Sequence, residues 1–130
     1  MGTFRTEVKI ENILNRSRSV TVPEMLVDTG SEMTWVPSAL LESIGVERTT
    51  KIRTFVMANG QEISRAVGYA FVRVLPDFET VDEVVFGEPG DLSLLGARSL
   101  EGLNVRVDPQ GKQLVAAGPI LAAGNISATV

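Results

Sequence analysis

Apolar and polar residues alternate along much of the chain with the period of two that is typical of half-buried β-strands. The alternation is clear at residues 6–10 and again at 66–74, and it returns in shorter runs through the rest of the sequence. Stretches rich in Asn, Gly, Ser and Pro separate these runs, and such stretches form turns and loops. The pattern therefore predicts many short strands connected by tight turns.

Three pairs of strand-like runs are close enough in sequence to form β-hairpins. The first pair flanks the polar turn at residues 15–19, and the last pair flanks the turn PQGK at residues 109–112. The middle pair covers residues 51–57 and 62–74, and its turn contains Asn59-Gly60, the strongest short hairpin signal that a sequence offers. Gly68 lies inside the second of these runs and predicts a bulge or bend there.

Two segments have the features of short helices. Residues 36–47 predict a helix with Ser38 as its N-cap and Gly45 as its left-handed stop. Residues 97–104 predict a second helix of about two turns. Many strands and two short helices favour a mainly β fold that forms a closed or partly closed barrel. The chain has 130 residues and neither an internal repeat nor a linker, so we expect one domain.

Composition narrows the chemistry that is open to this chain. The sequence contains no Cys and no His, which excludes thiol nucleophiles, Ser-His-Asp triads, disulfides and zinc sites built on these residues. The net charge is −4 and the basic residues are scattered, so we expect no nucleic acid partner. No apolar run is long enough to span a bilayer, and the N-terminus lacks a secretory apolar segment. We therefore expect a cytoplasmic protein without a membrane partner. For catalysis, carboxylates, Lys, Tyr, hydroxyls and oxygen-ligated metals remain, and the composition favours carboxylates.

One carboxylate stands out at the end of an apolar run, where Asp28 is followed by Thr29, Gly30 and Ser31. An unpaired charge at the end of a buried strand is costly. A tight turn at Gly30 could direct backbone N–H groups toward the carboxylate, and the two hydroxyls could fix the loop. The same residue types are also common in ordinary turns. These residues alone leave both interpretations open.

A second motif lies near the other end of the chain, where Leu94-Leu95-Gly96 enters the predicted second helix. Together with Asp28-Thr29-Gly30 and the Asn59-Gly60 hairpin, it gives an order of motifs that resembles the retroviral-type, or retropepsin-like, aspartic protease family and its small bacterial members. That family has an apolar strand ending in Asp-(Thr/Ser)-Gly, a flap hairpin, and an apolar-apolar-Gly strand that enters a helix. The resemblance covers residues 5–117. It implies a retropepsin-type domain at residues 1–117, followed by a C-terminal tail at 118–130 that is either an inter-subunit strand or a flexible end.

The resemblance also implies a role for each matching residue. Asp28 would be the catalytic carboxylate, and the rest of the active-site loop would be Thr29, Gly30 and Ser31. The flap tip over the cleft would be Met57, Ala58, Asn59 and Gly60. The walls of the substrate pocket would be Leu26, Trp35 and Leu94. For Trp35 a second interpretation is open, since the single Trp of a β protein is usually part of the core.

Some positions depart from the viral members of the family. Ser31 stands where retroviral enzymes often have Ala, although other branches of the family also use Ser. Ala97 stands where viral members typically have Arg, and Arg98 follows one residue later. The sequence therefore leaves open whether Arg98 reaches Glu32. The flap turn is also less rich in glycine than viral flaps, which leaves open whether it closes over a substrate.

Aspartic catalysis requires two carboxylates that share an activated water, and this chain has one Asp-Thr-Gly. The remaining aspartates lie in predicted turns, in mid-strand or before Pro: Asp77, Asp91, Asp82 and Asp108. The resemblance therefore implies a homodimer, in which the segments 3–8 and 115–123 are candidates for pairing between subunits. The expected function is an aspartic endopeptidase that cleaves a peptide or protein substrate with no metal or organic cofactor.

Two other functions remain open from the sequence. A dimer of the same fold without catalytic activity could bind peptides or serve as a structural module. A glycosidase based on carboxylates is less well supported, because no second placed acid is apparent. Aromatic residues, which would stack on sugar rings, make up only 5% of the chain.

Overall fold

The structure, a computed structural model, describes residues 4–122 and is mainly β, as the alternation predicts. In chain order its elements are β1 (Phe4–Asn12), β2 (Ser19–Val27), β3 (Thr34–Pro37), α1 (Ser38–Ser43), β4 (Ile52–Val56), β5 (Glu62–Val74), β6 (Phe78–Gly87), β7 (Leu94–Leu95), α2 (Ala97–Leu103), β8 (Val105–Asp108) and β9 (Gln113–Ala116). The three predicted hairpins are present, formed by β1 and β2, by β4 and β5, and by β8 and β9.

Seven strands form one sheet in the order β1-β2-β7-β3-β6-β5-β4. A further pairing between β1 and β5, from Lys9 opposite Arg73 to Asn12 opposite Ala70, joins the sheet into a ring of hydrogen-bonded strands. The predicted closed or partly closed arrangement takes the form of this ring. β4 lies outside the ring as an extension of β5, and β8 and β9 form a separate two-stranded sheet.

The short strand β7 brings the two sequence motifs together. It runs parallel to β2, with Leu26 opposite Leu94, and antiparallel to β3, with Trp35 opposite Leu94. Where the parallel pair ends, the backbone N–H of Asp28 donates to the carbonyl oxygen of Leu95 at 3.0 Å. Since parallel strands end at the same edge, this pairing places the Asp28 loop beside the start of α2.

Apolar side chains form two clusters. The larger cluster fills the ring with residues from β1, β2, β5 and β6, and it is closed by Leu41 of α1 and Leu100 and Leu103 of α2. Full burial of one such side chain contributes about 1.5–3 kcal/mol. The smaller cluster consists of Met33, Trp35, Val67 and Val85, with Phe55, Ile63 and Leu94 packed against it. Trp35 therefore belongs to the core, which is the second of the two interpretations that the sequence leaves open for it.

Helix α1 differs in one detail from the prediction. Gly45 ends it as predicted, with φ +76° and its N–H donating to the Glu42 carbonyl oxygen at 3.0 Å. The N-cap is Pro37, however, and no side chain caps the helix. The prediction that Ser38 is the N-cap is wrong because Ser38 Oγ donates instead to the carbonyl oxygen of Gly87 at 2.9 Å.

Gly68 does not form a bulge, which is one of the two features predicted there. β5 and β6 pair without interruption through Gly68 opposite Val84, so there is no bulge at this position. Gly68 is required because a Cβ there would lie 2.5 Å from the carbonyl oxygen of Glu47 and 2.9 Å from the ring of Phe86. The glycine allows a close approach between segments, which sequence alone does not reveal.

The terminal segments are only partly described. Phe4 to Val8 of β1 already pair with β2 of the same chain. Residues 117–122 follow β9 without regular structure, and Asn104 fixes their start, since its side-chain amide donates to the carbonyl oxygen of Gly118 at 2.9 Å. The ends of the segments expected to pair between subunits, residues 3 and 123, lie outside the described residues, as does most of the tail at 118–130. Within residues 4–122, no helix is long and apolar enough to cross a membrane.

Candidate active site

Asp28 lies directly after β2, at the point where the strand becomes a tight loop. The loop bends back on itself, since the N–H of Ser31 donates to the carbonyl oxygen of Asp28 at 3.2 Å. The N–H of Gly30 donates to Asp28 Oδ1 at 3.0 Å. The side chain is half-buried. The loop therefore aims one backbone donor at the carboxylate and holds the side chain in one orientation.

The start of α2 packs against this loop. The N–H of Ala97 donates to the carbonyl oxygen of Ser31 at 2.7 Å. Gly96 makes this approach possible, because a Cβ at this position would collide with the carbonyl oxygen of Met33 and lie 3.0 Å from that of Ser31. Ser31 is fixed further by its own hydroxyl, which donates to the carbonyl oxygen of Met33 at 3.0 Å. Asp-Thr-Gly-Ser and Leu-Leu-Gly thus form one structural unit.

The relationship between Arg98 and Glu32, which the sequence leaves open, is a direct contact. The N–H of Arg98 donates to the carbonyl oxygen of Glu32 at 3.0 Å, and Arg98 Nε donates to Glu32 Oε2, also at 3.0 Å. The displacement of the arginine by one residue from its usual place in viral members does not prevent the pair.

Beneath the loop lie two buried hydroxyls that sequence analysis did not single out. Thr34 and Ser99 are fully buried, and their oxygens lie 2.6 Å apart. Thr34 Oγ1 accepts from the N–H of Gly96 at 3.0 Å, and Ser99 Oγ donates to Asp82 Oδ2 at 2.7 Å. A charged residue within an otherwise alternating strand was the available signal for Asp82, but its partners come from distant segments.

A groove of about 670 Å³ opens beside Asp28. Trp35 and Leu94 lie on one side of it, and the flap hairpin, which we define as residues 52–66, borders the other. Trp35 packs against Phe55 of β4, with ring centroids 4.8 Å apart and planes tilted by 55°. The lining residues are Asp28, Gly30, Ser31, Glu32, Trp35, Thr54, Phe55, Val56, Met57, Ala58, Gly90, Asp91, Leu92 and Leu94.

The structure brings together most, but not all, of the residues that the resemblance assigns to a site. Thr29, Leu26, Asn59 and Gly60 are not among the residues that line the groove of this chain. Leu26 lies beside Leu94 in the parallel pair, but β7, β3 and β6 stand between its strand and the flap hairpin in the strand order. Thr29 is exposed beside the groove.

The tip of the flap hairpin is closed by its own hydrogen bonds. The N–H of Met57 donates to the carbonyl oxygen of Gln61, and the N–H of Gly60 donates to that of Met57, both at 2.8 Å. Gly60 has φ +85°, a conformation that favours glycine, which confirms the predicted hairpin turn. Asn59 Oδ1 accepts from the N–H of Gln61 at 2.9 Å. Val56 and Met57 remain 71% and 41% exposed, so the tip presents apolar surface beside the groove.

Of the three carboxylates that line the groove, two are compensated by arginines. Glu32 pairs with Arg98, and Asp91 accepts two hydrogen bonds from Arg65, at 2.8 and 3.0 Å. The hydrogen bonds from Arg65 lower the pKa of Asp91; burial opposes this, and the backbone N–H of Glu88 adds to it. Because Arg65 lies on β5, this pair also ties the flap hairpin to the loop at residues 88–93.

Asp28 is the third carboxylate and differs from the other two. Within residues 4–122, no lysine or arginine lies within ion-pair distance of it, and no protein donor reaches its Oδ2. No group of three carboxylates in this part of the chain is arranged to hold a metal ion. The groove therefore contains one carboxylate whose outer oxygen is open to a ligand or to another protein group.

A family model described as "gag-polyprotein putative aspartyl protease" matches residues 17–102, which is more than half of the chain. The matched region begins before β2 and ends in α2, so it includes the Asp28 loop, the flap hairpin and Leu94-Leu95-Gly96. Among curated proteins, none matches the chain.

Proposed function

Because this chain belongs to the retroviral-type aspartyl protease family, we propose that it is a homodimeric aspartic endopeptidase with one Asp28 contributed by each subunit. In such a dyad one carboxylate is protonated and the other ionised, and together they activate the water that attacks the scissile carbonyl. The peptide or protein substrate would lie in the groove beneath the flap hairpin. The reaction requires no metal and no organic cofactor.

The observation that carries this proposal is that Asp28, among the described residues, has no lysine or arginine within ion-pair distance and no donor at its Oδ2. Glu32 and Asp91 are each paired with an arginine, which disfavours either of them as the partner of Asp28. We infer that the second carboxylate comes from another molecule. A two-fold axis beside the loop would bring two Asp28 side chains together, since an isologous contact places the same residue of each subunit at the axis.

The local contacts support specific roles within the dyad. The N–H of Gly30 fixes Oδ1 and leaves Oδ2 for the shared water or proton. Thr29 is exposed next to the groove, so its hydroxyl is available to the partner's loop.

The groove also fits an extended peptide. Trp35, Leu92 and Leu94 offer apolar contacts on the side of Asp28, and Val56 and Met57 offer them on the side of the flap hairpin. A scissile bond held between these surfaces would lie next to the carboxylate, where positioning contributes most to rate.

Cleavage of a mixed peptide library between acidic and neutral pH tests the proposal. The wild-type protein should cleave, and Asp28→Asn should not, because the amide cannot take part in the shared proton. Asp77→Asn is the matched control, since it removes the same charge from an exposed turn. Cleavage by all three proteins, or by none, would contradict the endopeptidase. Peptide binding without cleavage by the wild type would instead favour the non-catalytic module.

The assembly is tested by sedimentation at the concentrations used for cleavage. We expect a dimer, and Asp28→Asn should remain dimeric because the substitution changes one atom of the loop. A protein that cleaves peptides as a stable monomer would refute the shared site.

A further inference from the structure

A continuous chain of hydrogen bonds connects the start of α2 to Asp82 on β6. Gly96 N–H lies 3.0 Å from Thr34 Oγ1, the Thr34 and Ser99 hydroxyls are 2.6 Å apart, and Ser99 Oγ lies 2.7 Å from Asp82 Oδ2. The two hydroxyls are fully buried, whereas Asp82 is only partly buried. The other carboxylate oxygen of Asp82 accepts from the N–H of Glu83 at 2.8 Å, which aims the group at Ser99.

The direction of each bond follows from Asp82. A carboxylate accepts hydrogen bonds and a hydroxyl has one hydrogen to donate. Ser99 gives that hydrogen to Asp82, so it must accept from Thr34. Thr34 gives its one hydrogen to Ser99, and a lone pair of its oxygen accepts from the N–H of Gly96. With Asp82 as the final acceptor, the hydroxyls of Thr34 and Ser99 both donate and accept, and neither is left unpaired in the core.

This series of hydrogen bonds holds both sequence motifs of the groove in place. Thr34 is the first residue of β3, three residues after Ser31 of the active-site loop, and Gly96 directly precedes α2. Two backbone bonds, from Ala97 to Ser31 and from Arg98 to Glu32, extend the same contact toward Asp28. A shift of Thr34 relative to Gly96 would therefore move the loop that carries the carboxylate.

We propose that Asp82 is a positioning residue for Asp28, acting through Ser99 and Thr34. It does not line the groove and touches no substrate. Its acceptor oxygen gives the hydrogens of both buried hydroxyls a partner, which fixes Ser99 and Thr34 in place and, with Thr34, the contact to Gly96. The catalytic part of this role rests on the proposed endopeptidase function, whereas the structural part does not.

Kinetics of three variants test the catalytic part. Asp82→Ala leaves Ser99 without its acceptor, and we expect kcat to fall by about 10- to 100-fold with KM changed by less than about threefold, because misplacement of a reacting group by 1 Å costs on this order. Asp82→Asn keeps one acceptor oxygen for Ser99 but turns its NH2 toward the N–H of Glu83, so it should recover only part of the rate. Asp77→Ala removes an exposed acid near the start of β6 and should behave as wild type.

Hydrogen exchange tests the structural part without any activity. In Asp82→Ala, the amide of Gly96 should exchange at least about tenfold faster than in wild type, and those of Ala97 and Arg98 should follow. Exchange in Asp77→Ala should stay close to wild type, and the Gly96 amide in Asp82→Asn should exchange at a rate between those of wild type and Asp82→Ala. If Asp82→Ala does not fold, Ser99→Ala breaks the same bond from the buried side and gives the same comparison.

The outcomes separate the two proposals. Absence of cleavage by the wild type would refute the endopeptidase, while the exchange experiment would still decide the role of the hydroxyl chain. Wild-type kcat and wild-type exchange in Asp82→Ala would overturn the positioning role. A loss of rate that Asp82→Asn does not recover even in part, or that accompanies a uniform increase in exchange across the protein, would also overturn it, since both indicate general destabilisation.

Discussion

Arg98 and Glu32 are joined twice, once through the backbone and once through their side chains, with both hydrogen bonds at 3.0 Å. The side chains remain 49% and 74% exposed. The backbone bond therefore fixes the start of α2 against the active-site loop, and the ion pair strengthens a contact that also exists without it.

We expect the side-chain pair to contribute little to the stability of the fold. A double-mutant cycle with Arg98→Gln and Glu32→Gln should give a coupling below about 1 kcal/mol, because exposed ion pairs are screened by water. Urea unfolding at one fixed protein concentration measures this coupling, and high salt should reduce it further. A coupling above about 2 kcal/mol would show that the pair is buried in the assembled protein.

Gly96→Ala should destabilise the fold far more than loss of the Arg98–Glu32 side-chain pair. The added Cβ would collide with the carbonyl oxygen of Met33, and the backbone must move to relieve it. We expect a loss of about 2–3 kcal/mol in the free energy of unfolding, typical of overpacking. Gly118→Ala is a suitable control, since its Cβ meets no atom within 4 Å and only its φ of +95° is unfavourable. That control should lose about 1 kcal/mol, and equal losses in the two variants would contradict the steric account.

Mixing of subunits tests whether the site is shared. If wild type and Asp28→Asn exchange subunits freely at equal amounts, only wild-type homodimers have two carboxylates, and activity per total protein should fall to about one quarter. Independent sites would give about one half under the same conditions. The cleavage rate measured after equilibration distinguishes these values, and mixing with Asp77→Asn should leave the rate unchanged.

The stability of the protein should depend on the ionised state of Glu11 on β1. Glu11 is 2% exposed and accepts from Arg16 at 2.7 Å and from Arg73 at 3.1 Å. Burial raises its pKa, but the hydrogen bonds and charges of the two arginines outweigh burial and hold the pKa below its ordinary value of 4.5. The unfolded chain therefore binds this proton at higher pH than the folded chain does. The stabilisation is fully present above 4.5 and is lost as the pH falls through the lower, folded value.

Glu11→Gln should accordingly lower the free energy of unfolding by about 2 kcal/mol at neutral pH, because it removes charge-assisted hydrogen bonds. The difference from wild type should shrink as the pH is lowered below 4.5. Glu101→Gln on α2, an exposed position, should show little difference at any pH. Urea unfolding over this range gives both curves, and a constant difference for Glu11→Gln would contradict the linkage.

Elements that depend on a few neighbouring residues were predictable from the sequence. Asn59-Gly60 and Gly45 are in the predicted turn and helix end, because a positive φ at a glycine is decided locally. Ser38 illustrates the opposite case. Its hydroxyl donates a hydrogen bond to the carbonyl oxygen of Gly87, which is 49 residues away. No residue near Ser38 in the sequence indicates this partner.

The same distinction applies to the candidate site. The loop at Asp28 was recognisable because its motif is contiguous, and Trp35 and Leu94 were identified through the resemblance, which places apolar pocket contacts at these positions. Asp82 appeared only as an acid in mid-strand, since its connection to Ser99 and Thr34 depends on how β6, α2 and β3 pack. Residues that act through others are therefore visible only once the fold is known.

The bonds that complete the site join residues far apart in the sequence. Gly96 to Thr34, Ser99 to Thr34 and Arg98 to Glu32 span between 62 and 66 residues. During synthesis the Asp28 loop thus leaves the ribosome well before β7 and α2, which supply its supports. Contacts of such long range also form late in folding, because the entropy of loop closure must be lost first. Asp28 is therefore made early, but the environment that orients it arises only when synthesis of the domain is nearly finished.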